Sequence, residues 1–226
     1  MAKADAIKVI GVLFAAELIF ILFYGLFVDY DSKIIDKDVV GGDNSTATID
    51  EAQEDVGVGV TYSFFQDVNV MVFIGFGFLM TFLRKYGFSA VGYNFLLSAF
   101  VIQWAILVLG FWHQVDNGEA WHNIKLTIES LITADFAAAA VLISYGAVLG
   151  KFSPLTLLYM AFFEIIFFGM NEWIAVTQFK VVDVGGSMVV HAFGAFFGLG
   201  VSATAGKKST TSHKLNSSVY HSDLFA

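Results

Sequence analysis

Six apolar runs restrict this chain more than any other feature, each about the ~20 residues needed to cross the hydrocarbon of a bilayer. They cover roughly residues 7–28, 61–83, 88–112, 124–150, 153–177 and 183–205. Inside lipid the backbone must satisfy its own hydrogen bonds, so runs of this length are read as helices. Composition points the same way. Of 226 residues, 57% are hydrophobic, 25 are phenylalanine and only 14% are charged, against about 25% charged in a soluble domain. Too little polar surface remains to cover a globule in water. The predicted fold is an all-α membrane protein with six transmembrane helices. The first run is longer than the ~7–15 apolar residues of a signal peptide and no A-x-A site follows, so it is read as an anchor that stays.

Charge outside the runs gives an orientation. Between the first two runs, DYDSKIIDKDVVGGDNSTATIDEAQEDVG holds nine carboxylates and two lysines. With the N-terminus in the cytoplasm, Lys3, Lys8, Arg84, Lys85, Lys151, Lys207, Lys208 and Lys214 lie inside, and Lys33, Lys37, Lys125 and Lys180 outside. That bias follows the positive-inside rule. The same orientation puts the acidic loop, about 29–60, and the sequon at Asn44 outside, and the basic loop at about 206–218, with its second sequon at Asn216, inside. The absence of cysteine excludes disulfides and thiol chemistry. No HExxH, GxSxG or phosphate-loop pattern appears, so no catalytic residue, metal or cofactor is assigned.

Ionisable residues at membrane depth are expensive and need partners. Glu17 is expected to hydrogen-bond a neighbouring helix or subunit. Asp67, with Gln66 and Asn69, reads as polar glue or a solvated helix end. Glu129 and Asp135 lie on different faces of one helix, so at least one is expected in a structural pair. Glu164 reads equally as core glue or as a path residue. Within VVDVGGSMVVHAFGAFFGLG, Asp183 precedes VGGS, where an N-capping carboxylate would accept the free amides of the first turn. His191 follows eight residues on, about 12 Å deeper in an α-helix and about 80° round it. The two are expected at different depths and out of contact. Gly194 and Gly198 have the four-residue spacing that lets membrane helices approach closely.

Three stretches, QDVNVMVFIGFGFLMTFLRKYGFSAVGYNFLLSAFVIQW, SLITADFAAAAVLISYGAVLGKFSP and DVGGSMVVHAFGAFFGLG, together with the terminal VYHSDLFA, resemble the Rh glycoproteins of the ammonium transporter superfamily. The resemblance spans residues 1–226 and implies a trimer, homomeric or mixed with related subunits, in lipid, with one narrow hydrophobic pore per subunit. It implies two inverted repeats of five helices plus an extra N-terminal helix, of which this chain matches the N-terminal half. It makes Asp183 the family's acid, His191 the first of two pore histidines, Phe136 the first phenylalanine of the external gate and Glu172 an acid of the outer vestibule. Trp173 is a candidate for a vestibule tryptophan. The second gate phenylalanine and second histidine belong to the second repeat, so the chain is expected to be about half a transporter.

The function so implied is ammonium/ammonia transport at the plasma membrane, with carbon dioxide as a second gas and no nucleic acid. Glu172 would recruit ammonium outside, Phe136 would block water, Asp183 would steady the vestibule and assist deprotonation, and His191 would face passing ammonia or relay a proton. The alternative is a non-conducting Rh-like subunit that assembles with, or anchors, full-length partners.

Overall fold

The computed structural model describes residues 3–30, 61–115, 123–205, 217–218 and 220–225. Asn44, the acidic run 31–60 and Lys207, Lys208 and Lys214 lie outside the described residues. Six helices long and apolar enough to cross a membrane are present: α1 (Lys3–Phe27), α2 (Thr61–Phe82), α3 (Gly87–Val115), α4 (Ile128–Val148), α5 (Pro154–Gln178) and α6 (Ser187–Thr204). A short α7 (Tyr220–Phe225) follows and packs on the end of α2, beside a backbone bond from Arg84 N to Ser217 O (3.2 Å). β1 (Val28–Tyr30) and β2 (Ile124–Leu126) pair in parallel, with Val28 opposite Ile124.

Two helices begin later than their apolar runs. The run at 124–150 begins as helix only at Ile128, because Ile124–Leu126 pairs with β1 and Thr127 is extended. Thr127 and Ser130 then form a reciprocal capping box that satisfies free donors at the start of α4. The run at 183–205 begins as helix at Ser187, because Gly185 and Gly186 take positive φ (82° and 67°), which glycine tolerates and other residues resist.

α4 is the central helix, packed against α2, α3, α5 and α6. Its run Ala137–Ala140 is fully or almost fully buried, and side chains this small bring the neighbours close. On α6, a Cβ added to Gly194 would lie 2.5 Å from the Ala140 carbonyl oxygen, and one on Gly198 would lie 2.8 Å from Ser144 Cα. Backbone therefore meets backbone, as the glycine spacing suggested. In lipid, where apolar burial between helices gains little, such close packing is the main attraction.

α1 sits at the margin with its long apolar face exposed. Glu17 meets its expected kind of partner: Gln103 of α3 donates to it (3.1 Å), and the Tyr24 hydroxyl donates to the Gln103 carbonyl (3.0 Å). Phe20, Trp104 and Phe162 stack across α1, α3 and α5. α2 is irregular, with a π-turn at Met71–Gly75. A π-turn disturbs the helical ladder, and the buried Asn94 amide of α3 donates to the Val72 and Phe73 carbonyls there (3.3 and 3.4 Å). Asn69 of α2 donates to the fully buried Asp135 of α4 (3.3 Å), the structural pair expected of Glu129 or Asp135.

Candidate functional site

The start of α6 carries the most organised polar geometry in the described residues. Asp183 precedes the helix by four residues, and its backbone oxygen accepts from Gly186 N (3.1 Å), closing a turn. That turn brings the carboxylate over the helix end. Oδ1 accepts from the Ser187 hydroxyl (2.7 Å), and Oδ2 accepts from the amides of Met188 and Val189 (2.8 Å each). The expected capping is present, but by reach across a glycine turn instead of from the residue adjoining the helix. The amide of Val189 and the hydroxyl of Ser187 hold the acid below the usual carboxylate range.

His191 lies in a π-turn, Ser187–Ala192. Its amide donates to Gly186 O five residues back (2.9 Å), and its ring Nδ1 lies 3.0 Å from the same oxygen. A carbonyl only accepts, so this bond puts a proton on Nδ1, and in the neutral ring the lone pair is then on Nε2. The ring is exposed, on a side of α6 that also exposes Met188, Phe196 and Leu199. The α-helical arithmetic of 12 Å and 80° does not hold, since residues 183–186 are a turn and 187–192 a wider helix. Asp183 and His191 do not bond each other. Both bind Gly186, one through its amide and the other through its carbonyl.

Phe136 is half-buried on α4, packed on the core beside Asp135. Glu172, near the end of α5, is largely buried, with Oε2 3.6 Å from Nε2 of His113 on α3. Beside it Trp112 and Trp173 stack with centroids 5.6 Å apart, and the Trp173 Nε1 donor is buried without a partner. Trp112 fits there because Gly169 has no side chain: a Cβ on it would lie 2.8 Å from Trp112 Cδ1. Chain direction puts Glu172, Phe136 and Asp183 toward the same end of the bundle, where α3 and α5 finish and α4 and α6 begin. Among the described residues no hydrogen bond or ion pair joins Phe136 or Glu172 to Asp183 or His191.

Sequence reasoning missed His113 and Trp112, whose only signal was an aromatic and a histidine closing a long apolar run. It also missed Gly186, whose carbonyl and amide tie His191 and Asp183 together. Among the described residues no three His, Asp or Glu side chains converge as a metal would need.

A sequence model of a family described as the Ammonium Transporter Family matches residues 50–226. The chain is 48% identical over 217 residues to an "Ammonium transporter Rh type B" of Oryzias latipes, covering 94% of this chain and 45% of that protein. It is 52% identical over 166 residues to an "Ammonium transporter Rh type C" of Rattus norvegicus, covering 73% and 33%. A solved structure described as "Nitrosomonas europaea Rh50 and mechanism of conduction by Rhesus protein family of channels" superposes with a TM-score of 0.62 at 31% identity, over 76% of this chain and 45% of that one. The chain thus spans less than half the length of these relatives.

Proposed function

The chain belongs to the ammonium transporter family, channels and transporters rather than enzymes, and from that premise we propose that this multi-pass membrane protein contributes one wall of a path that admits ammonium, removes its proton and passes ammonia. The physical reason for such a path is desolvation. An ammonium-sized ion moved from water to a low-dielectric interior has an idealised cost of order 20 kcal/mol, and neutral ammonia avoids nearly all of it.

The observation that carries the reading is His191: an imidazole in an apolar span, its Nδ1 3.0 Å from Gly186 O and its ring exposed. A neutral nitrogen acceptor suits ammonia, which brings N–H donors. Asp183 acts in this account as a fixed negative charge and a lock on the helix start. Three donors hold it ionised, which makes it a poor base, so the role as proton acceptor passes from it to water or to His191. Glu172 is the acid that gathers cations at the outer end, and Phe136 the aromatic that excludes water. The N-terminus is cytoplasmic, Asn44 is glycosylated outside, and the protein sits in the plasma membrane as a trimer, with carbon dioxide a second permeant gas. In proteoliposomes under an inward ammonium gradient, His191→Ala should abolish the protein-dependent rise in internal pH. Equal rates for the variant and the parent chain would remove His191 from the path.

A second reading draws on the same face of α6. His191 and its apolar neighbours have no facing helix among the described residues. On this reading the chain is a non-conducting subunit that acts in assembly or anchoring with full-length partners. Co-expression with such a relative separates the two, since the assembly reading requires altered flux or trafficking of the partner and none from the chain alone.

A further inference from the structure

Glu164, on α5, has no part in the path proposed above, yet it is an acid with 0% exposure inside a membrane-spanning bundle. Its Oε1 meets the Ser144 hydroxyl of α4, and its Oε2 has no partner. Ser144 is also fully buried, and its hydroxyl lies 2.8 Å from the carbonyl oxygen of Gly194 on α6. Among the described residues no basic side chain is ion-paired with Glu164.

Ser144 cannot donate to both oxygens at once. A serine hydroxyl has one proton, and a carbonyl can only accept. With the Ser144 proton on Gly194, the contact to Glu164 needs a proton of its own. An ionised Glu164 would then set a carboxylate oxygen against the lone pairs of Ser144 with no proton between them, an unpaired charge in hydrocarbon. We infer that Glu164 is a neutral acid which donates to Ser144, which in turn donates to the Gly194 carbonyl, so that one directed chain of hydrogen bonds clasps α5, α4 and α6 and positions the His191 turn.

The location explains why such a clasp is needed. Gly194 and Gly198 let α6 approach α4 to backbone contact, but a glycine face carries no side chain to fix how far α6 slides along it. The Gly194 carbonyl is a polar mark on that smooth face, three residues past His191. Its bond to Ser144 sets the register, and the Glu164 proton orients the Ser144 hydroxyl. Glu164 and Ser144 are thus positioning residues. The clasp rests on the hydrogen-bond geometry alone, whereas its effect on transport rests on the function proposed above.

Infrared spectroscopy of the reconstituted protein at neutral pH tests the clasp without requiring transport. The wild type should show a protonated-carboxyl C=O band that disappears in Glu164→Gln and moves to higher wavenumber in Ser144→Ala. Gln is also a donor, so Glu164→Gln should keep ammonium-driven pH change within about twofold of wild type, while Glu164→Leu lowers it about tenfold. The inference is overturned if Glu164→Gln removes no such band, or if it loses as much flux as Glu164→Leu, which would make the ionised acid the working form. If the wild type carries no flux, the proposed function fails, and the clasp still stands or falls on the band.

Discussion

A methyl group on Gly194 is expected to push α6 off α4, and Gly200 on the same helix supplies the control. An added Cβ at Gly194 would lie 2.5 Å from the Ala140 carbonyl oxygen and 3.1 Å from Ile143 Cβ, whereas ordinary contact begins at 3.4 Å. The first obstacle is backbone, which cannot rotate away, so α6 must retreat by roughly 0.9 Å, the difference between 3.4 and 2.5 Å. Such a retreat would stretch the 2.8 Å bond from Ser144 to Gly194 beyond hydrogen-bond range. A Cβ at Gly200 meets nothing within 4 Å. Both substitutions gain the same helix propensity, about 0.5–1 kcal/mol, so comparing them cancels it. What remains is overpacking, about 1–3 kcal/mol, or about 5- to 150-fold in the unfolding equilibrium. Unfolding in mixed micelles titrated with a denaturing detergent measures this directly. Gly194→Ala should be the less stable of the pair by that margin, and Gly200→Ala at least as stable as wild type. Equal stability of the two variants would refute the backbone-to-backbone contact of α4 with α6.

Other expectations concern the helix start, the peripheral helix and the orientation. Gly186→Ala forces a φ of 67° on a residue with a Cβ, which would also lie 2.9 Å from Val190 Cγ2, and should destabilise by about 1–2 kcal/mol in the same assay. Asp183 is held below its ordinary pKa, so its contribution is complete above the unfolded value of about 3.9 and is lost as pH falls through the folded one. The stability difference between wild type and Asp183→Asn should therefore be flat above about pH 5 and shrink in more acid solution; a difference that grows on acidification would contradict the capping geometry. Glu17→Leu removes the acceptor of the Gln103 amide and should loosen α1 by about 0.6–2 kcal/mol, read as faster proteolysis or cross-linking changes at that helix. With the N-terminus inside, N-glycosidase treatment of protein from a glycosylating host should shift the wild type but not Asn44→Gln, and Asn216→Gln should behave as wild type.

The six spans were legible because lipid leaves a backbone no alternative to helix, and their apolar length needs no knowledge of neighbours. Partners were less so. That Glu17 and Asp135 need hydrogen bonds followed from their depth, but Gln103 and Asn69 as partners are tertiary facts. The capping role of Asp183 was readable from its place before a glycine pair, though not its reach across the turn. The phase between Asp183 and His191 was misjudged because it assumed α-helical rise through residues that form a turn and a π-helix. A π-turn depends on packing and leaves no periodic signature in a stretch this short. The β1–β2 ladder was invisible for a similar reason, since its strands of three residues each lie at the ends of apolar runs and are defined by each other. Glu164 reads from sequence equally as glue or path, because its contact with Ser144, and that of Ser144 with Gly194, are tertiary facts.

The central claim is that His191 lines a route for ammonia, and stopped-flow measurement of internal pH in proteoliposomes tests it most directly. Under an inward ammonium gradient, ammonia entry consumes internal protons. The account expects internal pH to rise faster with the protein than in empty vesicles, and the excess to vanish in His191→Ala. Identical rates with and without the protein, or an excess that survives in His191→Ala, would contradict it.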